Sequence, residues 1–223
     1  MKRTCLIALT FLLSACGSSA LSPHSLSPLE RLSGGQVVGD ASSLYWGNLR
    51  QSKPESLAER VWMGDYGEYL TDYRWHDGQL RELKRAGTAL KDDKLQPFEL
   101  HVRYDQHGDA VFQRYKVGDT VFPLTDTQLH QLSQQADMAV ALLREQSREG
   151  LQLVQGVWDG QRLISCGEQT ELEIHWQQIH AQPGYIALIG KSDGRGKITA
   201  QQLVLNRTQE QQCLTPPRLL DVS

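Results

Sequence analysis

Regular alternation of apolar and polar residues, interrupted by turn dipeptides, is the feature that most constrains how this chain can fold. The run "FELHVRY" at 98–104 alternates strictly, with apolar side chains at every second position. A period of two is typical of a strand with one buried face. Asp77-Gly78 separates two further alternating runs, and this dipeptide favours a two-residue hairpin turn. The first half of the chain is therefore predicted to form an antiparallel β-meander.

The period changes after Thr125. Apolar residues then recur at helical spacing as far as Leu143, and Thr125 with Gln128 matches the capping-box pattern. Gly150 supplies a stop signal. These features predict one helix at about 126–149. We expect its apolar stripe to pack on the core, and a partner-binding groove is the alternative.

Short, closely spaced strand-like runs return after Gly150 and predict a second sheet or a small barrel. The predicted fold class is α+β: predominantly antiparallel β structure, with one long helix between an N-terminal β-meander and a C-terminal β-sheet or small barrel. We place the meander and helix at 36–150 and the C-terminal β-rich segment at 151–223. The second segment can form one domain with the first or a domain of its own.

The N-terminus has the layout of a secretory signal peptide. Lys2 and Arg3 precede an apolar run at 5–13, which is too short to span a bilayer as a helix. The last residue of this run begins the sequence Leu-Ser-Ala-Cys16, which resembles the lipobox of bacterial lipoproteins. The resemblance implies a signal peptide at 1–15 and fatty acids, such as palmitate, on Cys16. An ordinary secreted protein with a cysteine near its cleavage site is the alternative.

Gly17 and the residues after it predict where the lipoprotein lies. An aspartate at this position would resemble the inner-membrane retention signal of enterobacterial lipoproteins. Glycine therefore favours the periplasmic face of the outer membrane of a Gram-negative bacterium. The stretch 16–35 is rich in Ser, Gly and Pro, so it is predicted to be the lipidated cysteine and a flexible tether. The membrane is the first expected partner, through the N-terminal lipid anchor.

Two cysteines remain once the signal peptide and the lipidated position are set aside. Cys166 and Cys213 are predicted to form a disulfide bond, because paired cysteines oxidise in the periplasm. A reactive cysteine working with His175 or His180 is the alternative, and no nucleophile motif supports it.

Charge and motif spacing argue against nucleic-acid and nucleotide partners. The formal net charge is −3, and no basic cluster is present to contact phosphates. "LSGGQ" at 32–36 resembles the signature of ABC-transporter ATPases, and "IGKSDGRG" at 189–196 resembles a phosphate-binding loop. The loop fails because Tyr185 occupies the position where its first glycine is required. The pentapeptide also precedes the loop, which reverses the order in those ATPases.

Neither a metal site nor a catalytic residue is predicted. The 7 histidines show none of the spacings of HExxH or Cys/His zinc sites. Carboxylate pairs such as Glu171 and Glu173 lie on strand-like runs, where a solvated sheet face explains them equally well. No cofactor is expected.

The densest aromatic cluster lies at 62–75. At strand spacing, Tyr69, Tyr73 and Trp75 fall on one face. A cross-strand ladder or core packing is the simpler explanation. A sugar- or peptide-binding platform is the functional explanation, and these three residues are therefore the candidate binding site.

Several features together resemble a family of uncharacterised lipoproteins of enterobacteria and vibrios. They are the Lys-Arg start with a lipobox, the similar hairpins "WHDGQL" and "WDGQRL", and the long helix before a β-rich C-terminus. The resemblance implies no activity, cofactor or catalytic residue.

Two functions of different classes remain. The first is a non-enzymatic envelope lipoprotein that binds another envelope protein or a polysaccharide through an exposed sheet face or edge. The second is a small periplasmic hydrolase with no recognisable motif. The binding module predicts an exposed apolar or aromatic patch and no polar cleft, whereas the hydrolase predicts a cleft with perturbed carboxylates or histidines. The lack of hydrolase motifs favours the first.

Overall fold

The computed structural model of the chain describes residues 28–176, 181–208 and 212–221. The predicted signal peptide at 1–15 and the predicted lipidation site Cys16 lie outside these ranges. Within the described residues, no helix is both long and apolar enough to cross a membrane.

The first half of the chain forms one antiparallel sheet of eight strands, paired in the order of the sequence. This arrangement confirms the predicted meander. A short 3-10 helix, Gly64–Tyr66, lies between the third and fourth strands. The strands are β1 (Leu29–Val38), β2 (Ala41–Arg50), β3 (Lys53–Trp62), β4 (Gly67–His76), β5 (Gln79–Lys91), β6 (Lys94–Tyr104), β7 (Ala110–Val117) and β8 (Thr120–Phe122).

The predicted tether at 16–35 is wrong for its last part, because residues 29–35 belong to β1. This strand pairs with β2 along its whole length. Its first residues are exposed, so the sequence shows no apolar alternation there. Gly34 is buried for a packing reason: a Cβ atom on it would lie 2.1 Å from Oε1 of Gln146 on the helix. Glycine permits close approach here and does not mark a flexible linker.

The long helix, α1 (Asp126–Arg148), confirms the prediction of 126–149 to within one residue. Thr125 and Gln128 form both hydrogen bonds of the capping box. One face of α1 packs on the sheet in a common hydrophobic cluster that draws side chains from β2 to β6. The helix contributes Leu132, Ala136, Ala139, Val140 and Leu143 to it. The expected core-packing role of the stripe is therefore confirmed.

The second half of the chain forms a closed barrel of five strands, in the order β10-β11-β13-β12-β9. All its pairings are antiparallel except that of β11 with β13. The predicted fold class is thereby confirmed. The strands are β9 (Leu151–Trp158), β10 (Leu163–Ser165), β11 (Glu171–Trp176), β12 (Gly184–Ser192) and β13 (Lys197–Arg207).

The barrel packs on the face of the sheet opposite to the helix. Leu44 and Trp62 of the sheet share a buried cluster with Leu151, Tyr185 and other barrel residues. Leu44 is adjacent in sequence to Tyr45, which belongs to the helix-side cluster, so the two side chains point to opposite faces of β2. The sheet is therefore covered on both faces near Leu44 and Trp62.

Candidate functional site

A cleft lies where the barrel stops covering the outer face of β1–β4. Its floor consists of two rows of side chains that cross the four strands. On each strand, the residue in one row lies two positions from the residue in the other, so both rows lie on the same face of the sheet. The first row is Ser33, Trp46, Ala58 and Asp72, and the second is Arg31, Asn48, Ser56 and Arg74. The two middle strands contribute the uncharged side chains of both rows, and the charged ones, Arg31, Asp72 and Arg74, stand on the outer two strands.

The C-terminal residues 212–221, hereafter the tail, form the second wall of this cleft. Pro216, Pro217, Arg218 and Asp221 face the floor across a cavity of about 710 Å³. We call this cavity the tail cleft. Its volume lies within the range of about 300–1,000 Å³ that is common for small-molecule sites.

The tail is fixed at both ends. A disulfide bond joins Cys166 of the barrel to Cys213, which confirms the predicted pair and excludes the reactive-cysteine alternative. Near it, the side-chain amide of Gln155 donates to the carbonyl of Leu214 over 3.1 Å. At the far end, the backbone N–H of Leu220 donates to Oδ2 of Asp72 over 3.1 Å. The wall of the cleft is therefore held in place before any ligand binds.

Asp72 is the buried acid of the cleft, with 3% of its surface exposed. Burial raises the pKa of its carboxyl group, although the Leu220 N–H and the Arg74 guanidinium favour the charged form. Arg74 lies 3.5 Å from Asp72 and 2.6 Å from Asp221. Arg74 thus connects the floor to the end of the tail.

The other two arginines of the cleft differ from Arg74. Arg31 on β1 and Arg218 on the tail are exposed and line the cavity. Neither forms an ion pair with any residue in the described parts of the chain. The cleft therefore has an excess of positive charge, on a chain whose formal net charge is −3.

A second cavity adjoins the tail cleft at Trp46 and Ser33. It has a volume of about 420 Å³ and lies between the sheet and the barrel. Its barrel side presents polar residues, among them Gln152, Glu168 and Thr170. We call it the barrel-side pocket. The half-buried indole of Trp46 therefore contributes to both cavities.

The aromatic residues predicted as a binding platform lie on the opposite, helix-facing side of the sheet. Tyr73 is 0% exposed and Trp75 is 8% exposed, and both belong to the helix-side core. The platform prediction is therefore wrong for these two, and the alternative of core packing holds. Tyr69 is half-buried beside them, with the Arg85 guanidinium 4.3 Å from its ring centre.

A buried polar network, which the sequence analysis missed, accompanies these aromatic residues. Arg85 and Glu59 are buried and lie 3.5 Å apart. Arg85 donates to Thr71, Tyr73 and Gln135, the last of which lies on α1. Burial and the nearby Glu59 carboxylate raise the pKa of Tyr73 well above its ordinary value. The network joins the sheet to the helix and lines neither cavity described above.

Elsewhere in the described parts of the chain, histidines and carboxylates do not converge on a site. No group of three His, Cys, Asp or Glu side chains among the described residues could hold a metal ion. His101 contacts Glu82 at 2.7 Å and the ring of Phe112. His175 is exposed, and His180 lies outside the described residues.

Sequence reasoning also missed the residues of the tail cleft. Arg31, Trp46 and Asp72 are separated by other strands and turns in the sequence, and only strand pairing brings them into neighbouring positions. The available signal was the polar and charged residues on the alternate face of the strands, such as Arg31, Asp72 and Arg74. That signal does not show which part of the chain crosses this face.

The fold and the cleft define an α+β protein with a preformed cavity on the outer face of its N-terminal sheet. A family model described as "Protein of unknown function (DUF1481)" matches residues 33–218. The chain therefore belongs to the DUF1481 family. The match extends from β1 to the tail and includes both disulfide cysteines. Neither a curated protein nor a solved structure gives a significant match.

Proposed function

We propose that this protein is a lipid-anchored lipoprotein on the periplasmic face of the outer membrane, where it serves as a non-enzymatic binding or accessory module. Its partner is another envelope component, a protein or a polysaccharide. The tail cleft is the binding surface. Lipidation and the outer-membrane location are inferred from the sequence around Cys16.

The observation that carries the proposal is the fixed construction of the tail cleft. The two floor rows come from four adjacent paired strands, and the opposite wall is held by the disulfide bond and by Asp72. A cavity whose walls are already ordered costs little conformational entropy when a ligand binds. The described structure therefore favours recognition by a preformed surface.

The position of the cleft suits a membrane-anchored protein. Leu29 begins β1 and lines the tail cleft, and Cys16 lies about a dozen residues before it. A segment of that length spans at most about 45 Å when fully extended. Lipidated Cys16 would therefore hold the cleft close to the membrane surface.

One observation favours the alternative, a small periplasmic hydrolase. The tail cleft brings polar groups together around a carboxyl group with a raised pKa, a feature that the sequence analysis expected of a hydrolase and not of a binding module. However, Oδ2 of Asp72 already accepts hydrogen bonds from Leu220 and Arg74. These contacts give the carboxylate a structural role in fixing the tail, and for this reason we place binding first.

In-cell photocrosslinking tests the binding proposal. A photoreactive amino acid replaces Pro216 on the tail or Ser33 on the floor of the full-length protein, and the same residue at Met138 is the control. Met138 is 63% exposed on the outer side of α1. We expect one abundant adduct from both cleft positions and none from Met138, identified by mass spectrometry.

Two results would contradict the proposal. Adducts of equal yield and identity at Met138 and in the cleft would show that the cleft has no special role. Loss of a periplasmic hydrolytic activity in Asp72→Asn, with an unchanged adduct at Pro216, would instead support the hydrolase.

A further inference from the structure

The charges of the tail cleft indicate what kind of ligand it accepts. Arg31 and Arg218 stand on different walls of the cavity and have no acidic partner in the described structure, whereas Arg74 is neutralised by two aspartates. A guanidinium group binds carboxylate and phosphate through two parallel hydrogen bonds. A carboxylate or phosphate group on a ligand between the walls would therefore pair with these two arginines.

The neutral residues of the floor indicate the remainder of the ligand. Trp46 offers an indole surface, and Asn48 and Ser56 stand beside it, joined by a 2.8 Å hydrogen bond from Nδ2 to Oγ. This bond leaves the Asn48 carbonyl oxygen and the Ser56 hydroxyl hydrogen available to a ligand. An aromatic surface next to amide and hydroxyl groups suits a pyranose ring, whose C–H face is apolar and whose edge carries hydroxyls.

The two adjoining cavities indicate that the ligand is extended. Trp46 and Ser33 line both the tail cleft and the barrel-side pocket. A sugar placed at Trp46 would have a cavity on either side for its neighbours. The barrel-side pocket continues the polar lining with Gln152, Thr170 and the acidic Glu168, so the negative group of the ligand belongs in the tail cleft and not in this pocket. A short segment of a polymer uses both cavities, whereas a single sugar uses one.

We propose that the tail cleft binds an acidic polysaccharide segment, with a sugar on Trp46 and a carboxylate or phosphate group between Arg31 and Arg218. This inference rests on the proposed function only in taking the tail cleft as the binding surface. It adds the chemical class of the ligand.

Binding of paired probe saccharides to the full-length lipoprotein in detergent tests the proposal. Tetragalacturonate is compared with its neutral methyl ester, and a phosphorylated glucosamine disaccharide with its unphosphorylated form. Titration calorimetry measures each affinity. We expect at least one acidic probe to bind about tenfold or more tightly than its neutral counterpart, since hydrogen bonds to charged groups are the stronger ones. The preferred pair distinguishes carboxylate from phosphate.

Substitutions in the two arginines locate the binding. Arg31→Gln and Arg218→Gln should each lower the affinity for the preferred acidic probe by about tenfold and leave that for the neutral probe unchanged. Arg114→Gln is the matched control, because Arg114 is an exposed arginine on β7, far from the floor strands in the sheet order. Both cleft arginines are exposed, so their replacement should leave the fold intact.

The outcomes separate this inference from the proposed function. Equal affinity for acidic and neutral probes, or unchanged affinity in the Arg31→Gln, Arg218→Gln double variant, overturns the inference. If no probe binds while Pro216 crosslinks to an envelope protein, the ligand class is wrong and the proposed function stands. If no probe binds and the cleft positions crosslink nothing, both are wrong.

Discussion

At the scale of single residues, the pair Arg85 and Glu59 shows how this protein tolerates charge in its core. Both side chains are buried between the sheet and α1, and Tyr73 contacts each of them at 3.0 Å. A buried ion pair contributes little net stability, but removing one member leaves an uncompensated charge. Removing one member of the network should therefore lower the free energy of unfolding by more than the intact network adds to it.

We predict that Arg85→Met lowers the free energy of unfolding by about 3–5 kcal/mol, because Glu59 then lies buried without its cation. Urea denaturation of the purified protein measures this value. Arg114→Met, the same change at an exposed position, should alter it by no more than about 0.5 kcal/mol. A loss below about 1 kcal/mol in Arg85→Met would show that Glu59 is neutral or solvated in the folded protein.

Asp72 gives a prediction for the pH dependence of stability. Its pKa in the folded protein is raised above the ordinary value of 3.8, so the folded state binds this proton more tightly than the unfolded state. The resulting stabilisation is full below pH 3.8 and is lost as the pH rises through the raised pKa. We therefore expect the free energy of unfolding of the native protein, minus that of Asp72→Asn, to fall as the pH rises above 3.8. Urea titrations at successive pH values measure it.

Asp137→Asn is the control for this experiment. Asp137 is exposed on α1, and its variant controls for the loss of one carboxyl group from the protein. If the difference in stability between the native protein and Asp72→Asn stays constant or increases as the pH rises, the raised pKa of Asp72 is contradicted.

At the scale of elements, the tail acts as a wall although it contains no helix or strand in the described residues 212–221. Its attachments are the Cys166–Cys213 disulfide, the contact of Gln155 with Leu214 and the contacts at Asp72 and Arg74. Leu214 is also buried in the cluster between sheet and barrel. An irregular segment is therefore ordered by side chains of the two sheets that it crosses.

We predict that the Cys166→Ser, Cys213→Ser double variant loses up to about 4 kcal/mol of stability, because the bond closes a loop with a sequence separation of 47. Thermal unfolding with and without reductant measures the loss. Reductant should lower the stability of the native protein and have no effect on the double variant. The same response to reductant in both proteins would show that the stability loss does not come from the Cys166–Cys213 disulfide.

At the scale of the whole molecule, the two faces of the N-terminal sheet have different roles. One face packs against α1 and contains the polar network of Arg85. The other packs against the barrel near Leu44 and forms the floor of the tail cleft near Trp46. Sheet and barrel share a buried cluster, so the barrel fixes the boundary of the cleft.

We predict that Cys16→Ala accumulates as unprocessed precursor, since the proposed lipid acceptor is missing. Gel mobility and membrane fractionation measure processing and anchoring. Cys5→Ala is the matched control, because Cys5 lies within the predicted signal peptide and should be removed with it. Normal processing and anchoring of Cys16→Ala would show that the lipobox prediction is wrong.

The sequence by itself determined the local features of this protein. Strict alternation at 98–104 and the capping box at Thr125 were correct guides to β6 and α1, because both depend on neighbours within a few residues. The disulfide pair was predicted correctly once Cys5 and Cys16 had been set aside with the predicted signal peptide and lipidation site. The same reasoning missed β1, whose exposed first residues and buried glycines have no apolar period.

Only the tertiary structure decided which face of the sheet is covered and by what. Tyr73 on β4 and Trp46 on β2 are both aromatic residues of the N-terminal sheet. Tyr73 is buried against α1, whereas Trp46 lines a cavity. Glu59 and Arg85 interrupt apolar alternation, and their burial is explained by their contact with each other and with Tyr73. The tail cleft depends on pairing among four strands and on a segment more than a hundred residues away. Such contacts join distant parts of the chain, so no local pattern in the sequence specifies them.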